Sequence, residues 1–108
     1  MATLERPEGL SEKGNKAHEI VMEVLRKHRR TDTGGCKAFY SPEEWTDRGE
    51  KYGRESKLVV VHDGGDVAPF FSWDYEQYTL VEEMNDALRP AGLYAEQCTC
   101  WYSAIYEI

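Results

Sequence analysis

The carboxy-terminal segment of this chain is its most apolar part. Cys98–Ile108 carries a single charged side chain, Glu107, although 31% of the chain is charged. Neither Gly nor Pro interrupts Leu93–Ile108, and alternate side chains on both sides of an extended segment would be largely apolar or small after Gln97. A strand that is apolar on both sides is typically covered on both faces. The pattern therefore predicts one internal strand over Leu93–Ile108, sealed by helices.

Three helices are predicted before this strand. A stripe of apolar side chains with helical spacing runs from near Asn15 to His28, and the paired glycines of "TDTGG" end it. The sequence "SPEEW" combines an N-cap Ser41, Pro42 at the first helical position and Glu44 at the third, which predicts a short helix from Pro42. A second apolar stripe predicts the third helix, over about Asp74–Arg89, ended by "PAG".

Further strands are predicted between these helices. A short alternating run predicts a strand over Cys36–Tyr40, and the β-branched run Leu58–His62 is typical of an interior strand. The sequence "DGGD" is suited to a hairpin turn, and the return arm Val67–Phe71 contains Pro69, so it must be an edge strand or irregular.

The predicted fold is therefore α+β: a small two-layer sandwich with the element order α-β-α-β-β-α-β. It has a mostly antiparallel sheet of about four strands with three helices. Residues 1–14 are expected to be a flexible lead-in and residues 15–108 a single domain.

Charge is distributed unevenly along the chain. The net charge is −7, and residues 63–108 hold nine Asp or Glu but only one basic residue, Arg89. Such an acidic chain repels nucleic acid, so we expect no nucleic-acid partner. No apolar run approaches the length of a membrane span and no secretory signal is evident, so a cytoplasmic location without a membrane is expected.

The cysteines and His62 are the candidates for chemistry. Cys98 and Cys100 lie in "CTC", and Cys36 and His62 are the candidates to join them at a soft-metal site, but the spacing of a zinc knuckle is absent. His62 and Asp63 end a strand beside a glycine turn, a place where catalytic groups are often presented. Core filler and turn composition explain the same residues, so no metal ion and no cofactor is expected, and enzymatic activity is disfavoured.

The aromatic group "FFSWDYEQY" is the strongest candidate for binding. It places Phe70, Phe71, Trp73, Tyr75 and Tyr78 within nine residues, and rings that cannot all face inward favour an interface or a ligand pocket.

These observations favour a non-enzymatic binding or protein-interaction module, whose partner is another protein or a second copy in a homodimer. One alternative is a small enzyme or metal-binding protein that uses His62, Asp63 and the cysteines. A second is an acidic inhibitor or nucleic-acid mimic that uses the negative carboxy-terminal half.

Overall fold

The computed structural model describes residues 4–31, 37–63 and 65–108. Within these ranges the chain forms three α-helices and four strands, in the order α1 (Glu12–Lys27), β1 (Phe39–Tyr40), α2 (Pro42–Asp47), β2 (Leu58–Val61), α3 (Tyr78–Leu88), β3 (Leu93–Gln97) and β4 (Tyr102–Glu107). Three short 3₁₀ turns cover Ala68–Phe70, Trp73–Tyr75 and Arg89–Ala91.

The strands form one antiparallel sheet in the order β1-β2-β4-β3. Its central pair, β2 and β4, aligns Leu58 with Ile105 and Val61 with Tyr102. Three helices and an antiparallel four-stranded sheet confirm the predicted α+β class. The strand predicted over Cys36–Tyr40 is present at Phe39–Tyr40, and Cys36 lies outside the described residues.

The return arm after "DGGD" is irregular, which is one of the two predicted alternatives, and the hairpin strand in the predicted element order is wrong. The return arm contains the 3₁₀ turn Ala68–Phe70, with Pro69 near its start, and it pairs with no strand of the sheet. Proline has no amide hydrogen to donate to a ladder, and its fixed φ suits the first positions of a helical turn.

The predicted single strand over Leu93–Ile108 is wrong as well, because the segment is a hairpin of β3 and β4. Thr99 makes the reversal possible: its Oγ1 accepts hydrogen bonds from the amides of Trp101 and Tyr102, both at 3.3 Å. Hydrogen bonds from a threonine side chain to nearby amides thus stabilise a turn that contains neither Gly nor Pro. The element order is therefore α-β-α-β-α-β-β.

The two faces of the sheet are covered differently. Helices α1 and α3 cover one face, where a large apolar cluster includes Val21, Leu25, Phe39, Leu58, Phe70, Met84, Leu88 and Ile105. The short α2 covers part of the other face through Trp45, which packs with Val59 and Tyr102. Since β2 is buried from both sides, Leu58, Val59 and Val60 are fully buried, as the apolar run predicts.

Local sequence signals position the helices. The predicted capping box of α2 is present: Glu44 N–H donates to Ser41 Oγ, and Ser41 N–H donates to Glu44 Oε1. Helix α1 begins at Glu12, capped by Ser11, and so starts three residues before the predicted Asn15. Within the described part of the chain, no helix combines the length and apolar character needed to cross a membrane.

Residues before α1 contact the domain. Leu4 and Leu10 pack against the large cluster, and the side chain of His18 lies within hydrogen-bond distance of both Arg6 Nε, at 3.3 Å, and the Leu4 carbonyl oxygen, at 3.0 Å. Burial lowers the pKa of His18, which favours the neutral ring that can accept from Arg6. These contacts do not test the predicted flexibility of residues 1–14, which stays a prediction.

We predict that Gly14→Ala destabilises the protein by about 1–3 kcal/mol, the usual cost of overpacking. Gly14 lies in the first turn of α1, where an added Cβ would approach the Lys57 carbonyl oxygen to 2.5 Å. Helix propensity alone predicts a change of the opposite sign, because alanine stabilises a helix by about 1 kcal/mol relative to glycine. Urea unfolding followed by circular dichroism measures the difference.

Lys16→Ala is the matched control, because Lys16 is exposed on the same helix and should change stability by less than about 0.5 kcal/mol. A Gly14→Ala variant as stable as the natural chain would contradict the close packing of α1 on the Lys57 backbone.

Candidate protein-interaction surface

The structure divides the predicted aromatic group into a buried pair and an exposed trio. Phe70 and Phe71 are buried in the large apolar cluster. Trp73, Tyr75 and Tyr78 remain 46%, 44% and 49% exposed. We call the exposed trio the ring patch. The two phenylalanines therefore close the core, and three large amphipathic rings are left at the surface.

Hydrogen bonds to strand β3 fix the turn that carries the ring patch. Trp73 N–H donates to Gln97 Oε1 at 3.0 Å, and Gln97 Nε2 donates to Ser72 Oγ at 3.2 Å. Ser72 Oγ in turn accepts from Asp74 N–H at 3.3 Å and so caps the 3₁₀ turn. The turn is thereby attached to an edge strand of the sheet.

The same turn delays the start of helix α3, whose first residue is Tyr78 of the ring patch. The predicted helix over Asp74–Arg89 begins only at Tyr78, because Glu76 has a φ of 56°, in the left-handed region. Left-handed φ costs a non-glycine residue about 1–2 kcal/mol. Gln77 occupies the N-cap of α3 without a side-chain hydrogen bond.

Two of the exposed rings lie against each other. The centroids of Trp73 and Tyr78 are 5.7 Å apart, with their planes tilted by 39°. Paired aromatic rings attract each other beyond the area they bury, so each ring restricts the other. The ring patch is therefore held by side-chain packing as well as by hydrogen bonds.

Carboxylates surround the ring patch. Asp74, Glu76 and Glu82 are exposed, and none of the ion pairs found within residues 4–31, 37–63 and 65–108 includes them. A groove of about 420 Å³ runs beside the patch, lined by Trp73, Glu82, Asn85, Asp86, Arg89 and Ala95. The surface around the rings is thus negatively charged.

His62 is buried on the helical side of the sheet. It is 2% exposed, its ring is parallel to that of Phe71 at 6.1 Å, and its Nε2 lies 2.8 Å from Ser103 Oγ. Burial lowers the pKa of His62 to about 4. Its Nδ1 is buried without a hydrogen-bond partner among the described residues. Although His62 and Ser103 resemble a catalytic pair in composition, both are closed off from solvent.

The structure does not bring Cys98 to His62. Cys98 is half-buried and packs against the Trp45 cluster, on the sheet face opposite to His62 and Phe71. Burial raises the pKa of the Cys98 thiol, which disfavours the reactive thiolate. Cys100 is exposed in the turn between β3 and β4.

Asp63 is exposed where the chain leaves β2, and the predicted contribution of Cys36 falls outside the described residues. Among the residues that the structure does describe, no group of three or more His, Cys, Asp or Glu is arranged to hold a metal ion.

Sequence reasoning missed Gln97 and Ser72, the two side chains that anchor the ring patch. Gln97 lies 24 residues from Trp73. The sequence pattern identifies it only as one position of the strand predicted over Leu93–Ile108. Its role depends on β3 ending beside the 3₁₀ turn, and no spacing in the sequence signals that proximity. Ser72 Oγ provides a recognisable cap, but Asp74 and Thr79 are equally good capping residues.

Comparisons of the chain with protein-family models, with curated proteins and with solved structures gave no match.

We predict that stability falls between pH 6.5 and pH 4.5, and that His62→Gln removes a large share of this loss. The pKa of His62 is about 4 in the folded protein, against 6.5 for an unperturbed histidine. Between these values the unfolded chain binds the proton and the folded chain does not, so stability falls with decreasing pH. Two-state linkage gives roughly 2–3 kcal/mol over this range.

The measurement is the free energy of urea unfolding against pH for both proteins. His18→Gln measures the separate share of the other buried histidine, whose pKa is also lowered. Parallel curves for the natural chain and His62→Gln would show that His62 is not kept neutral by burial.

Proposed function

We propose that this protein is a non-enzymatic protein-interaction module and that the ring patch is its docking surface. The observation that carries the proposal is the exposure of Trp73, Tyr75 and Tyr78, each close to half exposed, on a turn fixed to the sheet and at the start of helix α3. Tryptophan and tyrosine are enriched at the centres of interfaces because they bury a large area and lose few rotatable bonds.

Rigidity of the turn supports docking rather than simple exposure. Trp73 is restrained through its backbone by Gln97 and through its ring by Tyr78. A pre-organised side chain loses less conformational entropy on binding, which leaves more of the contact energy as affinity.

The ring patch is a better docking site than the edge of the sheet. Strand β3 is an edge strand, but the amide of its central residue, Ala95, already donates to Asn85 Oδ1 at 2.8 Å. A partner strand would have to displace this hydrogen bond in order to pair there. Side chains rather than backbone therefore form the proposed contact.

The partner is another protein or a second copy of the chain. Self-association is supported by opposite charges on one chain: Arg26 and Arg29 are exposed at the basic end of α1, and exposed carboxylates lie at the ring patch. In a two-fold dimer the basic end of each copy would contact the acidic ring patch of the other, because two-fold contacts are reciprocal.

We predict that Trp73→Ala weakens binding of the physiological protein partner, or self-association, by about tenfold or more, as expected of an interface hot spot. A photo-crosslinking amino acid in place of Tyr75 first captures the partner in cells. Its affinity is then measured with purified proteins, and sedimentation velocity at high micromolar concentration measures self-association.

Tyr52 provides the matched control, because it is 46% exposed like Trp73 but belongs to the loop between α2 and β2. Tyr52→Ala should leave affinity unchanged, and a photo-crosslinker at position 52 should not capture the same protein. Equal crosslinking from positions 52 and 75, or a Trp73→Ala variant with full affinity, would contradict the proposal.

A further inference from the structure

The groove beside the ring patch contains one charge that has no partner within the described part of the chain. Asn85 uses both ends of its amide internally, since Oδ1 accepts from the Ala95 amide and Nδ2 donates to the Val81 carbonyl oxygen. Arg89 and Asp86 neutralise each other at 2.7 Å. Glu82 is the remaining charged residue of the groove lining.

The unpaired carboxylate shares its groove with an indole ring. Trp73 and Glu82 both line the groove, and Tyr78 packs against Trp73. A cation is attracted to the face of an aromatic ring, most strongly to that of tryptophan, and a carboxylate strengthens the attraction. Both features favour the same kind of ligand group.

We infer that this groove receives a lysine or arginine side chain from the partner protein, with the cation between Trp73 and the carboxylate of Glu82. The inference rests on the proposed function and specifies the chemistry of the partner: a basic segment docks here. Exposed Asp74 and Glu76 lie on the same turn as Trp73 and extend the negative surface beyond the groove, which suits a segment with more than one basic residue.

Other occupants fit the groove less well. An anionic ligand would meet Glu82 and the surrounding carboxylates, and like charges repel. Direct contact between the ring patches of two copies would bring the same carboxylates together. A purely apolar segment would cover Glu82 and leave a desolvated charge without a partner, which is costly.

The test uses the full chain and two short peptides that differ only in charge. One peptide carries two arginines separated by a single alanine, and the other carries citrulline, the neutral analogue, at both positions. Each is titrated to about 10 mM, a range suited to weak binding, while the Trp73 indole N–H and the backbone amides are followed by NMR. The arginine peptide should shift Trp73, Glu82 and their neighbours, and the citrulline peptide should not.

Two variants and one control locate the site. Glu82→Gln keeps the shape and removes the charge, and Trp73→Leu removes the ring. Each should weaken binding of the arginine peptide about two- to fivefold, the effect expected for an exposed cation–π contact. Glu76→Gln removes an exposed carboxylate that does not line the groove and should have a smaller effect. Added salt should weaken binding to the natural chain more than to Glu82→Gln.

Equal shifts with the citrulline peptide, shifts that map away from the groove, or a Glu82→Gln variant with unchanged affinity would overturn the inference. These outcomes are distinguishable from failure of the proposed function. If Trp73→Ala still weakens the captured partner, the ring patch docks a protein through apolar burial and only the cation site is wrong.

Discussion

Burial of the central strand pair from both sides is the constraint on which the other packing depends. β2 lies beside β4 in the middle of the sheet, and Leu58, Val59, Val60, Ala104 and Ile105 are fully buried. A pair with two apolar faces needs two covers. Helices α1 and α3 supply one, and the Trp45 indole on the short α2 supplies part of the other.

The ring patch is a consequence of how the helical cover closes. Phe70 and Phe71 are needed in the core beneath α1 and α3, so the chain must leave the interior immediately after them. Hydrogen bonds of Ser72 and Gln97 hold the chain at the surface at that point. Trp73 is the first aromatic residue after Phe71 that is exposed. Exposure of the ring patch therefore follows from burial of Phe70 and Phe71, and the proposed docking surface lies next to the core.

The same sheet separates two candidate reactive side chains, His62 and Cys98. His62 lies on the helical face and Cys98 on the face of Trp45. The central strands therefore lie between two residues that the sequence suggests for one metal site. Burial acts on both: it keeps the His62 ring neutral and raises the pKa of the Cys98 thiol. Desolvation, rather than a neighbouring charge, is the largest cause of each shift.

Local signals in the sequence determined the elements whose causes are themselves local. The apolar stripe before His28, the Ser41–Glu44 capping box and the β-branched run from Leu58 each depend on residues within a few positions of one another, and the corresponding elements are present. The α+β class follows from them. Only the tertiary structure decided that Thr99 turns the carboxy-terminal segment back on itself, that Gln97 fixes Trp73 across 24 positions, and that five neighbouring rings divide into core and surface. The Gln97 contact joins distant segments, and the division of the rings depends on which of them the core has space to bury. The Thr99 turn is local, but it contains no Gly or Pro to mark it in the sequence.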